Sequence, residues 1–271
     1  MAAIKVKKVK DVLVVSFDYD ADIVAKIKTL TARKYLSDVK AWEVPLWEIK
    51  NLIKLFGEDL DIDKNVDVNY EKPKYDFKAE LSTIDNEQMR VFAEWALSML
   101  PDYFYHVAAS STGKYHPSYA LGDGGLVRHT QAAVRIANEL FNCHTIQNFT
   151  EEEKDIIRAA LLLHDGVKQG ADGTGYTTTT HPLEVVKYIE DKYYEVDEET
   201  LPDEVLELME DGYLWEDISN CIKTHMGEWN TDYKTKEEVL PKPETEMQKF
   251  THLCDYLASR KMLEVNFNVE G

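Results

Sequence analysis

Residues 4–17 alternate apolar and polar positions and then run apolar into DVLVVSF, which predicts a strand or a hairpin. Asp20 stands where a helix N-cap belongs, ahead of a helix starting near Ala21 with Ile23, Val24, Ile27 and Leu30 on one face. RKYL and KAWEV, within 33–44, are two short extended pieces around a Ser37–Asp38 turn, and Pro45 ends the second. LWEIKNLIKLF has helical spacing and is closed by Gly57. The order strand, helix, two strands, helix predicts a small α+β module over 1–57.

Residues 58–80 mix Asp, Lys, Asn and Pro with little periodicity and are expected to be a linker. From 81 to 271 the pattern is helical throughout, with helices expected at about 85–100, 125–142, 151–164, 182–194, 203–211, 215–226 and 244–263. Ser82–Thr83 ahead of Glu87, and Thr150 ahead of Glu153, have the spacing of helix starts, and Gly227 that of a stop. The fold class expected is α+β, with all the helical mass after the module.

The composition, 44% hydrophobic and 30% charged over 271 residues, is that of a globular protein. No apolar run approaches the roughly 20 residues of a membrane span. MAAIKVKKVKDVLVV lacks the apolar segment of a secretion signal, so no membrane partner is expected. Cys143, Cys221 and Cys254 form no CxxC pair, which argues against a thiolate zinc site and for a reducing, cytoplasmic setting. Net charge is 31 − 50 = −19, divided as 11 − 7 = +4 over 1–57 and 20 − 43 = −23 over 58–271. That asymmetry points to two modules with different partners, or to a plain solvated acidic surface on the larger part.

The chemistry concentrates in the acidic part. His129 shares an apolar helix face with Leu126, Ala133, Ile136 and Leu140. His164–Asp165 follows AALLL at a helix end, His181 precedes Pro182 at a helix start, and His225 closes a helix before Met226–Gly227. Asp255 lies inside the apolar stretch FTHLCDYLAS. Singly, the histidines have ordinary explanations as core or capping residues. The two acids do not, because a buried carboxylate costs several kcal/mol unless paired or bound to a metal. Lys and Arg are scarce beside both, so imidazoles with a metal ion account for all of them together. Mixed imidazole and carboxylate ligands suit Mn, Fe, Ni, Co, Zn or Mg. His252 lies at i and i+3 to Asp255 and is placed to support it, whereas His106 and His144 fit no such pattern.

The ordered set His129, His164–Asp165 and Asp255, with Lys168 in HDGVK, resembles the HD-domain superfamily of metal-dependent phosphohydrolases over about 85–265. KYHPSYALGDGGLVRHT, GYTTTTHPLEVV and IKTHMGEW are most similar to bacterial HD-domain 3′–5′ exoribonucleases. The resemblance implies a helical HD bundle in which His129, His164, Asp165 and Asp255 hold one divalent ion. Asp165 would bridge to a second ion bound by His181 and His225. His116, Arg128 and Lys168 would face substrate phosphate, with Lys168 and Asp165 taking part in catalysis. Gly166 sits one position earlier than the family's usual small residue. Residues 12–57, centred on RKY and KAWEVP, resemble the HARP domain found beside fork-remodelling helicases, which implies nucleic-acid contacts by Arg33, Lys34, Lys40 and Trp42. The alternative makes Tyr35, Trp42 and Trp47 the core of so small a module, and that is the expectation for at least two of the three. The expected function is a phosphodiesterase or nuclease on single-stranded or structured nucleic acid. Alternatives are a nucleotidase or cyclic or dinucleotide hydrolase, and a non-catalytic nucleic-acid-binding protein that keeps the metal site.

Overall fold

The computed structural model describes residues 4–30, 33–110, 116–173, 175–232 and 234–267. The chain opens with a hairpin, β1 (Ile4–Val9) and β2 (Val12–Ser16), turned at Lys10–Asp11 with Lys10 at φ 54°. Asp20 caps α1 (Ala21–Ile27) by accepting from the backbone N–H groups of Asp22 and Ile23. Then come β3 (Lys34–Leu36), β4 (Ala41–Pro45) and α2 (Ile49–Phe56), which Gly57 closes. A fifth strand, β5 (Leu60–Ile62), pairs parallel with β1 and completes a sheet of order β3-β4-β2-β1-β5. The stretch expected as a linker therefore belongs partly to the sheet, and Val66 is buried in the same core.

The period of two puts Ile4, Val6, Leu13, Val15 and Val44 on one face of the sheet. α1 and α2 cover that face with Ile27, Ile49, Leu52 and Phe56. Trp47 is not part of this core. Its buried indole reaches the helical region, where its Nε1 donates to Asp123 Oδ1 at 3.4 Å and its ring meets His106 at 4.7 Å. Tyr35 is exposed, and Trp42 packs on its ring at 5.1 Å.

The helical region runs α3 (Lys78–Leu81), α4 (Glu87–Met99), α5 (Gly125–Phe141), α6 (Glu151–Leu163), α7 (His181–Glu195), α8 (Asp203–Asp211), α9 (Tyr213–Thr224) and α10 (Glu246–Ala258). α6 is the central helix and packs against α4, α5, α9 and α10. A Thr150–Glu153 capping box starts it, with Glu151 and Glu152 also in its positive first turn. From Ala159 to Leu163 every residue is buried, as an axis surrounded by helices requires. α4 is capped by Asn86, not by Ser82–Thr83. The Asn86 side chain accepts from Met89 N, and its own N–H donates to Asp155 of α6. α10 ends at Ala258, short of the expected 263, where the Ser259 hydroxyl and N–H turn back onto the last carbonyls. Among the described residues no helix is long and apolar enough to cross a membrane.

Candidate metal centre

Helix ends deliver the donors. α6 stops at Leu163, so His164–Asp165 leave the central helix inside the core, 0% and 1% exposed. His225 is the C-cap of α9, His181 opens α7, His129 lies in the second turn of α5, and Asp255 lies in the last turn of α10. Gly166 supplies space at the bend, since a Cβ there would meet Leu100 Cδ2 at 2.6 Å and Val185 Cγ2 at 3.0 Å. Gly124 starts α5 at φ 69°, a backbone most side chains avoid, with Tyr75 packed on it.

The six side chains converge. Asp165 Oδ2 lies 3.6 Å from His129 Nε2 and 3.4 Å from His164 Nε2. Its other oxygen, Oδ1, lies 3.1 Å from His181 Nε2 and 3.8 Å from His225 Nε2. Asp255 Oδ1 lies 2.9 Å from His129 Nε2 and 3.5 Å from His164 Nε2. Three overlapping sets can each hold a metal ion: His129, His164 and Asp165; His164, His225 and Asp255; Asp165, His181 and His225. Asp165 therefore turns one oxygen to each side of the cluster. Five of the six donors are at most 1% exposed, while Asp255, at 17%, stands at the open side.

Hydrogen bonds fix how the imidazoles present themselves. His164 Nδ1 donates to Leu161 O at 2.7 Å, His181 Nδ1 to Thr178 O at 2.7 Å, and His225 Nδ1 to Ile222 O at 2.8 Å. A carbonyl only accepts, so each Nδ1 carries a proton and each ring turns its Nε2 into the cluster. His181 Nε2 and His225 Nε2 then face each other at 3.2 Å. His129 Nε2, His164 Nε2 and Asp165 Oδ1 are buried with no hydrogen-bond partner among the described residues. Ring nitrogens set face to face and buried polar atoms without partners are unfavourable in a dry interior unless a cation, a metal ion or a proton, lies among them. The donor set, nitrogen and carboxylate oxygen, fits a divalent transition ion.

The charges point the same way. Burial alone would raise the Asp165 carboxyl, but Lys168 Nζ, 2.5 Å away, and His164 hold it well below the carboxylate range. Asp255 is held down likewise, against burial, by His129 and His164. Burial would lower His164, yet Asp165 and Asp255 push it up to about 10, so without a metal a proton takes the cation's place. Burial, with His164 and His181 beside it, pushes His225 down to about 3. His116 meets the His129 ring at 5.6 Å and is pushed to about 3 by burial and then by His129 and Lys168.

The other expected site residues divide. His116 and Lys168 lie at the cluster. Arg128 is engaged with the loop before α5: Nε donates to Tyr119 O at 2.6 Å, and NH2 to Leu121 O and Asp123 O at 2.9 Å each, so three of its five N–H groups hold that loop. Arg33 and Lys34 line a cavity of about 600 Å³ between the sheet and the helical region, with Lys10, His106, Asp123 and Gln169. Lys40, at φ 50°, and Trp42 lie outside that lining, in the exposed β3–β4 turn and against Tyr35. His252 reaches the cluster from outside, donating from Nδ1 to His225 O at 2.7 Å. His106 is buried against Asp123, 3.1 Å away, which also accepts from Tyr75. Lys114 and Tyr115, at the start of the KYHPSYALGDGGLVRHT stretch, lie outside the described residues.

Sequence patterns missed one support. Thr178 and Thr180 both donate to Glu184, at 3.0 and 2.6 Å, which fixes the turn whose Thr178 carbonyl orients His181. The TTTT run held that information without any periodicity to show it. Comparison of the chain with protein-family models, with curated proteins and with solved structures finds no match.

Proposed function

We propose that the chain is an HD-superfamily metal-dependent phosphohydrolase whose helical region is an HD bundle. One observation carries the reading: three imidazoles are locked with Nε2 inward around an aspartate whose two oxygens serve opposite sides. His129, His164, Asp165 and Asp255 would hold one divalent ion, and Asp165, His181 and His225 a second. When bound, such ions polarise a phosphoryl oxygen and lower the pKa of an attacking water. The chain's own groups do the rest. Asp165 spans the two sides and fixes their spacing. Lys168, 15% exposed, neutralises Asp165 and offers a point charge to a phosphate at the open side. His116, neutral because it is buried, offers one N–H to the same phosphate. The α6 end and the apolar wall behind it exclude bulk water from the inner face.

The favoured substrate is single-stranded or structured nucleic acid, because Lys10, Arg33 and Lys34 face a cavity that Gln169, the neighbour of Lys168, also lines. A nucleotidase is the second reading, favoured by the −23 balance over 58–271, which repels a long polyanion. Metal analysis of the purified protein and of Asp165→Ala, with hydrolysis of labelled oligonucleotides and a nucleotide panel, tests the proposal. One or two transition ions per chain and hydrolysis are expected, both lost in Asp165→Ala. Full activity in that variant ends the HD reading. Intact oligonucleotides beside a consumed mononucleotide select the nucleotidase. Bound metal and nucleic-acid binding without any product select a binding protein.

A further inference from the structure

Behind His225, and reaching it through His252, lies a feature that neither core uses. Trp229 is the only exposed tryptophan of the chain's five, at 42%. Its indole stacks on Tyr256, with centroids 5.5 Å apart and planes within 10°. The Arg260 guanidinium lies 4.2 Å from the Tyr256 ring centre and 5.2 Å from that of Trp229. His252 tilts against Trp229 at 5.8 Å, and its own Nδ1 grips the carbonyl of His225. Both rings follow metal-centre residues in the chain: Tyr256 is next to Asp255, and Trp229 is four residues beyond His225.

Packing does not explain this arrangement. Neither ring joins the hydrophobic core of the helical region, and an exposed indole gains little from burial. What stacking, a cation and the His252 contact achieve is to hold a flat aromatic surface rigid at the protein's edge. Asp255 is the most exposed of the six donors, and His252 ties the two rings to the His225 carbonyl, so the aromatic pair lies next to the cluster. Rigid, partly exposed aromatic faces with an arginine beside them bind nucleobases by stacking, whatever the base.

We infer that Trp229 and Tyr256, braced by His252 and Arg260, form a stacking platform for a nucleobase of the substrate whose phosphate lies at the metal centre. The position of the phosphate rests on the function proposed above, whereas base stacking needs no turnover. The base can belong to a free nucleotide or to a single strand. Either way the platform separates nucleobase-bearing phosphates from simple phosphate esters.

The test is equilibrium binding, by fluorescence anisotropy, with chelator present so that nothing is hydrolysed. The probes are a labelled single strand of about ten nucleotides, an abasic strand of equal length, and a labelled mononucleotide. The base-bearing strand, the mononucleotide or both are expected to bind. Trp229→Ala weakens that binding roughly 5- to 150-fold and leaves the abasic strand unchanged, while Trp229→Phe restores most of the loss. Which probe binds tells a strand from a free nucleotide. Equal binding of abasic and base-bearing strands by the unaltered protein, with no mononucleotide bound, overturns the platform, as does a Trp229→Ala protein of unchanged affinity. The unaltered protein alone decides the matter if that variant does not fold. Base-dependent binding lost on Trp229→Ala, with no hydrolysis under any metal, keeps the platform and removes the phosphohydrolase.

Discussion

At the scale of single residues the centre is defined by where protons are. His164, His181 and His225 spend their Nδ1 protons on carbonyls three residues back. His225 and His116, both pushed to about 3, bring no second proton at ordinary pH. His164, pushed up to about 10 by Asp165 and Asp255 against the pull of burial, does. The sign follows. A histidine raised in the folded state adds stability that is complete below its ordinary value of about 6.5 and is lost as pH rises through about 10. Metal-free protein should thus lose thermal stability between those limits. A metal ion must displace the His164 proton, so its apparent affinity should climb with pH over the same window, with about one proton released on binding. Calorimetric titration of metal in buffers of different ionisation enthalpy measures that number. Metal binding with no proton released would mean that His164 is neutral in the free centre.

At the scale of elements, the donors are aimed by helix termini and the turns that follow them. The α7 start is the case most open to test. Glu184 ties Thr178 and Thr180, and the Thr178 carbonyl sets the His181 ring. Glu184→Ala should weaken the ion on the His181 and His225 side roughly 10- to 100-fold while the His129 and Asp255 side keeps its metal, read as two stages in a metal titration. A single stage, or loss of both ions together, would show that the sides are not separable. The helices that carry the donors were legible because their signals are local. Thr150 and Glu153 make the capping box that starts α6, and 3.6-residue spacing marks α5 and α10. The six candidate ligands stood out as oddities, acids and imidazoles among leucines and alanines, and the fold brings them together in groups that could hold a metal ion. What stayed hidden was set by distant partners. β5 is three residues long, too short for a period, and exists because β1 lies alongside it. Asn86 caps α4 in place of Ser82–Thr83 because Asp155, far along the chain, fixes its backbone. Arg128 stood out by its charge beside His129, but that three loop carbonyls take three of its N–H groups could not be read from the sequence.

At the scale of the molecule the charge is divided, +4 over 1–57 and −23 beyond, and the two parts meet at a clamp. Trp47 and Tyr75 both donate to Asp123, and the Trp47 ring packs on His106. Asp123 thereby joins the sheet to the loop that begins α5, the helix of His129. Beside the clamp lies the cavity of about 600 Å³, its basic side supplied by Lys10, Arg33 and Lys34 of the N-terminal module. That volume falls within the roughly 300–1,000 Å³ of small-ligand sites, room for a nucleotide or two of one strand and too little for a duplex. Lys10 is exposed at a hairpin tip, so reversing its charge leaves the fold alone, and Lys34 lies on the edge strand β3. Lys10→Glu with Lys34→Glu should therefore raise KM for an oligonucleotide, and reduce its dependence on log salt by about two, one for each phosphate contact. Hydrolysis of a small chromogenic phosphodiester, which needs only the metal centre, should stay within about a factor of two, because neither lysine touches that cluster. Unchanged oligonucleotide kinetics in the double variant would separate the N-terminal module from the substrate path and leave the acidic helical region to select small, lightly charged phosphates by itself.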